Sequence, residues 1–252
     1  MTRKIRLPFL LAVASTAIAW VAGPTAKAQQ QTEEPDILFS TFSLVGYDPE
    51  AKEWGVVVTS VVPTLRDVVP WAKAGVGAVA TQASTNKSFG PDGIAWLAKG
   101  KSPEEIAKIF KESDKKIDVR QFGIVDAKGN SFSFTGEKCG KWAGHKTGKN
   151  YACQGNILAG EAVVNDTAKT FEETKGSLAI RFMRALEAGQ KAGGDSRQKP
   201  GKVQAAAMII VHDNTNGKGG KEDYVVDLRI DKDADAVKAL AKALDEHLKK
   251  KK

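Results

Sequence analysis

Apolar and polar residues alternate with a period of two along the first patterned segment of the chain, Ile37 to Tyr47. Thr41, Ser43 and Val45 fall on one face and Phe42 and Leu44 on the other, which predicts a strand. Asp48-Pro49 and the polar residues to Glu53 supply a turn, and the Val-rich run Trp54 to Ser60 predicts its partner. Residues 40–60 therefore read as a hairpin with a threonine near its head. Gly75 to Gln82 is small and apolar, a third strand whose two glycines imply close backbone approach. The stretch between, containing Pro63 and Pro70, reads as irregular.

The period then lengthens. Pro91 to Lys99 predicts a short helix with Gly100 past its end. Ser102-Pro103-Glu104-Glu105 forms a capping box, with Ser102 as N-cap and Glu105 at N3, opening a helix that runs to about Ser113. Val119 to Asp126 and Ser131 to Thr135 flank a hairpin turn, and Tyr151 to Leu158 predicts a further strand after a Gly- and Lys-rich loop holding Trp142 and His145. Helices are expected over 161–174 and 177–190, where Ile180, Met183 and Leu186 recur at core-facing spacing. Val203 to Val211 is a continuous apolar run suited to a central strand, followed by a strand at Tyr224 to Ile230 and a helix from about Asp233. Runs of strands separated by helix pairs predict two stacked sheets with helices outside, an α+β class, rather than strict alternation of strand and helix.

Composition changes this picture mainly at the ends. Arg3, Lys4 and Arg6, the apolar run Leu7 to Ala22 and Ala26-Lys27-Ala28 together read as a secretory signal cleaved after Ala28. The apolar run is shorter than the ~20 residues a membrane-spanning helix requires. The expected organisation is a signal at 1–28, a loose leader at 29–36, one domain at 37–249 and a lysine tail at 250–252. Four charges of the formal +8, on Arg3, Lys4, Arg6 and Lys27, leave with the signal, and Lys249 to Lys252 account for the remainder. The domain itself is thus near neutral, and a nucleic-acid partner is not implied. No membrane association is expected after signal cleavage, and periplasmic or secreted localisation follows; homo-oligomerisation stays open.

Cys139 and Cys153 suit an oxidising compartment. Paired, they would close a loop of about 15 residues worth roughly 3 kcal/mol; two separate buried thiols are the alternative. Their spacing is not that of a zinc site, and His145, His212 and His247 do not cluster in sequence, so no metal is expected. The glycine phrases lack the context of a dinucleotide or phosphate-binding loop, so no cofactor is expected.

Several phrases together resemble one bacterial family, the domain of unknown function 1028 family. They are TFSLVGYDPEAKEWGVVV at 41–58, VVPWAKAGVGAVATQA at 68–83, FGPDGIAWLAKGKSPEEI at 89–106, WAGHKTG at 142–148, QGNILAG at 154–160, AGQKAGGD at 188–195 and YVVDLRID at 224–231. The resemblance implies a four-layer αββα sandwich like that of the N-terminal nucleophile (Ntn) hydrolases, in agreement with the element order. It implies no particular substrate. This chain departs from the family where a Gly-Arg-Gln-Ser run usually follows the Gly-Gly-Asp phrase: Arg197-Gln198 is separated from Val203-Gln204-Ala205, with alanine where serine is expected. Asp231-Lys232-Asp233 stands in place of the family's Asp-Asp-His, so roles for that serine and histidine are not transferred.

In such hydrolases the first residue of the mature chain supplies both nucleophile and base, because an α-amine with a pKa of about 7.7–8.0 is basic near neutrality. Thr41 is the candidate nucleophile, which requires a cut between Ser40 and Thr41; an ordinary strand threonine is the alternative. Asn156, beside Gly155, is a candidate oxyanion donor or a turn asparagine. Ser60 and Gln82 end the second and third strands and, with Asn86, are candidates for orienting the Thr41 amine or a substrate amide, or simply bond to backbone. His145 is a candidate substrate contact in a loop. Asp227 and Arg229, two apart on one strand, could pair with each other or hold a carboxylate-bearing ligand. The expected partner is a small-molecule or peptide amide. A non-catalytic envelope protein that binds a peptide, glycan or metabolite on the same fold is the competing reading.

Overall fold

The computed structural model describes residues 39–196, 204–213 and 223–251. The predicted signal, the leader, Ile37, Arg197, Gln198 and Lys252 lie outside the described residues. The described residues belong to one compact unit spanning Asp36–Lys252.

Among the described residues, two antiparallel sheets and five helices make a mixed α+β fold. The strands are β1 (Thr41–Asp48), β2 (Glu53–Ser60), β3 (Pro70–Lys73), β4 (Gly77–Ala83), β5 (Arg120–Asp126), β6 (Ser131–Thr135), β7 (Ala143–Gly148), β8 (Tyr151–Asn156), β9 (Gln204–His212) and β10 (Tyr224–Asp233). The helices are α1 (Phe89–Ala98), α2 (Pro103–Ser113), α3 (Glu161–Glu173), α4 (Leu178–Lys191) and α5 (Ala236–Lys250). The six-stranded sheet runs β10-β9-β2-β1-β8-β7 and the four-stranded sheet β3-β4-β5-β6.

Strand alternation sorts the core into three clusters. Phe42, Leu44 and Met208 project from the six-stranded sheet onto Phe171 and Phe182 of α3 and α4 and Leu240 of α5. Val45, Val56, Val58 and Ile209, one position out of phase, meet Ala78, Ala80 and Val125 of the four-stranded sheet. Val79, Phe122 and Ile124 on the other face of that sheet pack on Phe89, Ile106 and Phe110 of α1 and α2. The capping box of α2 forms as its sequence predicts, with Ser102 Oγ accepting from the Glu105 amide at 3.2 Å and the Glu105 carboxylate accepting from the Ser102 amide at 2.8 Å.

Two strands lie where the sequence reads as loop. β3 begins at Pro70 on the edge of its sheet, one of the few sheet positions that spares proline a ladder hydrogen bond. β7 is the edge of the other sheet, and its exposed polar residues His145, Lys146 and Thr147 carry no apolar alternation.

Candidate active site

The hairpin register decides what surrounds Thr41. β1 lies between β2 and β8, so Thr41 pairs across to Ser60 on one side and to Asn156 on the other. All three belong to the face that meets the second sheet, from which Gln82 at the end of β4 reaches across. Each side chain is buried: Thr41 is 2% exposed, Ser60 5%, and Gln82 and Asn156 0%.

Hydrogen bonds converge on the Ser40–Thr41 peptide bond. Thr41 Oγ1 donates to Ser60 Oγ at 3.0 Å, and Ser60 Oγ donates to the Ser40 carbonyl at 2.8 Å. The Val62 amide donates to Ser60 Oγ at 3.2 Å, fixing its position. The same hydroxyl therefore accepts from the hydroxyl of Thr41 and polarises the carbonyl that precedes Thr41. Gln82 Nε2 donates to the Thr41 carbonyl at 3.2 Å. Asn156 Nδ2 donates to the Phe39 carbonyl at 2.7 Å, one residue upstream of the bond in question. Asn156 Oδ1 is buried without a hydrogen-bond partner among the described residues.

Behind these groups lies a network of amides and hydroxyls. Ser43 Oγ donates to Gln82 Oε1 at 2.6 Å and accepts from Gln154 Nε2 at 2.6 Å. Gln82 Nε2 also reaches Gln121 Oε1 at 2.8 Å, and Gln121 Nε2 donates to the Gly155 carbonyl at 2.8 Å and to Thr135 Oγ1 at 2.9 Å. Gly123 makes room for this arrangement: a Cβ there would collide with the Gln154 amide. Satisfied buried networks of this kind hold their members in one geometry. Two backbone positions beside the site are unusual, since Ala83 after Gln82 and Ile157 after Asn156 take φ of 68° and 55°. Left-handed backbone at a β-branched residue costs about 1–3 kcal/mol and persists where the surroundings enforce it. The Ile157 carbonyl turned by this conformation accepts from Ser40 Oγ at 3.1 Å, Ser196 Oγ at 3.0 Å and the Ser196 amide at 3.0 Å.

A cavity of about 10 Å³ adjoins the bond, lined by Ser40, Thr41, Ser60, Gln190, Asp195 and Gln204 among others. Its volume is about that of one water. Gln204 is 4% exposed, and its Oε1 has no hydrogen-bond partner among the described residues.

The remaining sequence candidates lie elsewhere. His145 is on β7, its Nδ1 2.8 Å from Thr135 Oγ1, so it joins the far end of the network rather than Thr41. Although the residue is exposed on β7, desolvation of the ring by its neighbours and then the nearby Lys111 charge lower its pKa. Asn86 donates to Asp114 at 2.8 Å and borders a separate cavity of about 340 Å³ between α1 and α2. Asp227 and Arg229 do not pair with each other. They alternate along β10, and Asp227 takes Arg66 at 2.6 and 2.9 Å while Arg229 takes Asp67 and Asp231. Cys139 and Cys153 are free thiols. Cys153 points from β8 into the helix-side core, whereas Cys139 sits in the turn after β6 with its sulfur 3.2 Å from the Arg120 carbonyl. Burial pushes the Cys139 thiol up to about 11, and the neighbouring Gly136 amide and Arg120 only partly offset it.

The sequence reading did not single out Ser43, Gln121, Gln154 or Gln204. The available signal was a glutamine or serine at one end of each of several otherwise apolar strands, on one face. Among the described residues no group of three or more His, Cys, Asp or Glu side chains is placed to hold a metal, and no helix is long and apolar enough to cross a membrane.

No curated protein matches the chain. The crystal structure of protein SPO2555 from Silicibacter pomeroyi, a DUF1028 protein, is similar with a TM-score of 0.72 at 24% identity, covering 82% of this chain and 88% of that one. That likeness concerns the fold. The model of the family of unknown function DUF1028 matches residues 41–240, beginning at Thr41 itself, and the chain belongs to that family.

Proposed function

We propose that this chain is an exported amide-bond hydrolase of the N-terminal nucleophile type, with Thr41 as nucleophile once the Ser40–Thr41 bond is cut. The observation that carries the reading is the pair of hydrogen bonds through Ser60, from the Thr41 hydroxyl and to the Ser40 carbonyl. The succession of helices, sheet, sheet and helices, read from the three core clusters, supports an Ntn-like αββα sandwich. The family match starts at the proposed nucleophile.

The self-cutting step is an intramolecular acyl shift. Thr41 Oγ1 attacks the Ser40 carbonyl carbon, and Ser60 donates to the oxygen as charge develops there. The Ser40–Thr41 C–N bond breaks, the hydroxyl proton ends on the Thr41 nitrogen, and an ester joins Ser40 to Thr41. Water hydrolyses that ester, leaving a carboxylate on Ser40 and a free amine and hydroxyl on Thr41. Substrate amides are then cleaved by the same chemistry, with the Thr41 amine as general base. Departure of Phe39 frees Asn156 Nδ2 for the substrate carbonyl that takes the place of the Phe39 carbonyl, while Ser60 donates to the oxyanion as in the self-cutting step. Asn156 Oδ1 lies on the residue paired with Thr41 and suits the new amine. Gln82 holds the Thr41 carbonyl, and the network behind it fixes both amides.

The experiment is the N-terminal sequence and intact mass of recovered protein, together with amide-hydrolysis assays of wild type and Thr41→Ala. A Thr41→Ala variant that retains all hydrolytic activity overturns the proposal.

A second reading is non-catalytic binding. It is favoured by a cavity of about 470 Å³ away from Thr41, lined by Arg66, Trp71, Lys73, Ile94 and Tyr224 among others. That volume and its mixed aromatic and charged lining suit a small ligand. A stable, folded chain uncut at Ser40–Thr41 supports this reading.

A further inference from the structure

The segment ahead of Thr41 carries information about substrate. The ester formed when Thr41 attacks its own preceding carbonyl joins the same Oγ1 to an acyl carbon as the ester formed from any substrate amide. The group attached to that carbon in the uncut chain, Ser40 followed upstream by Phe39, therefore occupies the place of a substrate's acyl side.

That place is small and polar. Ser40 is 1% exposed, and the cavity of about 10 Å³ beside it, partly open at its mouth, has room for about one water, so a branched side chain must displace its lining or push toward the opening. Its Oγ donates to the Ile157 carbonyl at 3.1 Å, which also accepts twice from Ser196, so loss of the Ser40 hydroxyl leaves that carbonyl satisfied. The cavity wall adds Gln204 Oε1, which has no hydrogen-bond partner among the described residues and can accept from one water or one small donor. One residue upstream, the Phe39 carbonyl is held by Asn156 Nδ2 at 2.7 Å. A group without a carbonyl at that position leaves the buried Asn156 donor unpaired.

From this we infer that the site takes peptides in which the residue before the cleaved amide is glycine, alanine or serine and is itself preceded by a peptide carbonyl. The inference rests on the N-terminal nucleophile reading. It sets the acyl side alone, because in the uncut chain the leaving amine is Thr41.

The test uses full-length protein, with intact mass establishing cleavage between Ser40 and Thr41. The cleaved protein is then given N-acetyl-Phe-Ser-Thr-Phe-amide and the matching peptide with leucine in place of serine, and the fragments are weighed. Close-fitting apolar pockets discriminate single methylenes by about 10- to 200-fold, so the serine peptide is expected to be cut at least about tenfold faster, after its serine. In the chain itself, Ser40→Ala is expected to process within a few-fold of wild type and Ser40→Leu at least about tenfold more slowly. Cleaved protein that cuts both peptides equally, prefers leucine or cuts neither overturns the inference and leaves self-processing standing. Protein that is never cut at Ser40–Thr41 overturns the nucleophile reading, and the inference falls with it.

Discussion

The space between the two sheets has two unlike halves built by the same strands. At one end Val45, Val56, Val58, Ala78, Ala80, Val125 and Ile209 fill it with hydrocarbon. At the other, Thr41, Ser43, Ser60, Gln82, Gln121, Gln154 and Asn156 fill it with amides and hydroxyls that are just as buried. The change occurs within single strand faces: β1 passes from Thr41 and Ser43 to Val45, β4 from Ala78 and Ala80 to Gln82, and β5 from Gln121 past Gly123 to Val125. Apolar contacts are non-directional, so the first half contributes stability while tolerating swaps that keep volume. Buried amides demand particular partners, so the second half gains little net stability and instead dictates where each atom sits. The half that specifies position is the one that surrounds Thr41.

This contrast is sharpest at Ser60. Ser60→Ala removes a donor to the Ser40 carbonyl and is expected to slow processing by about 10²–10³-fold, read by mass against time, while the buried partners it leaves unsatisfied lower stability by about 1–3 kcal/mol. Ile209→Ala in the apolar half should do the reverse. It is expected to cost about 2–5 kcal/mol in denaturant unfolding and leave the folded protein's processing rate unchanged. A large processing defect in Ile209→Ala would break the division of labour. Gly123→Ala lies at the border, and by displacing the Gln154 amide it should both destabilise by about 1–3 kcal/mol and slow processing.

The smallest expected effect is outside both halves, at Asp114. Burial alone raises its pKa, but hydrogen bonds from Asn86, Arg120 and the Lys116 amide prevail and hold it below the usual carboxylate value. A carboxyl depressed by folding adds stability that is present above its unfolded pKa and lost as pH falls through the folded one. Asp114→Asn is therefore expected to cost about 1 kcal/mol at neutral pH, with the difference from wild type vanishing in acid. An equal difference at every pH would assign the loss to packing.

Among the described residues, eight of the ten strands and all five helices were legible, from alternation, unbroken apolar runs, turn residues and helix caps. β3 and β7 escaped for separate reasons: one is four residues long and starts with a proline, and the other presents polar side chains to solvent, so neither carries an apolar stripe. The candidate site was legible in part. Thr41, Ser60, Asn156 and Gln82 stand at strand ends that the register brings together, and hairpin alternation places Thr41 and Ser60 on one face. Asn86, His145, Asp227 and Arg229 were separated from them by connections that local pattern does not encode. The role of Ser40 and Phe39 was hidden for a different reason. Their importance lies in backbone carbonyls, and a carbonyl has no letter in the sequence.

The central claim is that the bond between Ser40 and Thr41 is poised to be cut by Thr41. Its most direct test is the N-terminal sequence and intact mass of protein recovered from the periplasm or medium, wild type beside Thr41→Ala. A wild-type chain that begins at Thr41, with the variant stalled upstream, is the predicted result. A folded wild-type chain that keeps Ser40 joined to Thr41 would contradict it.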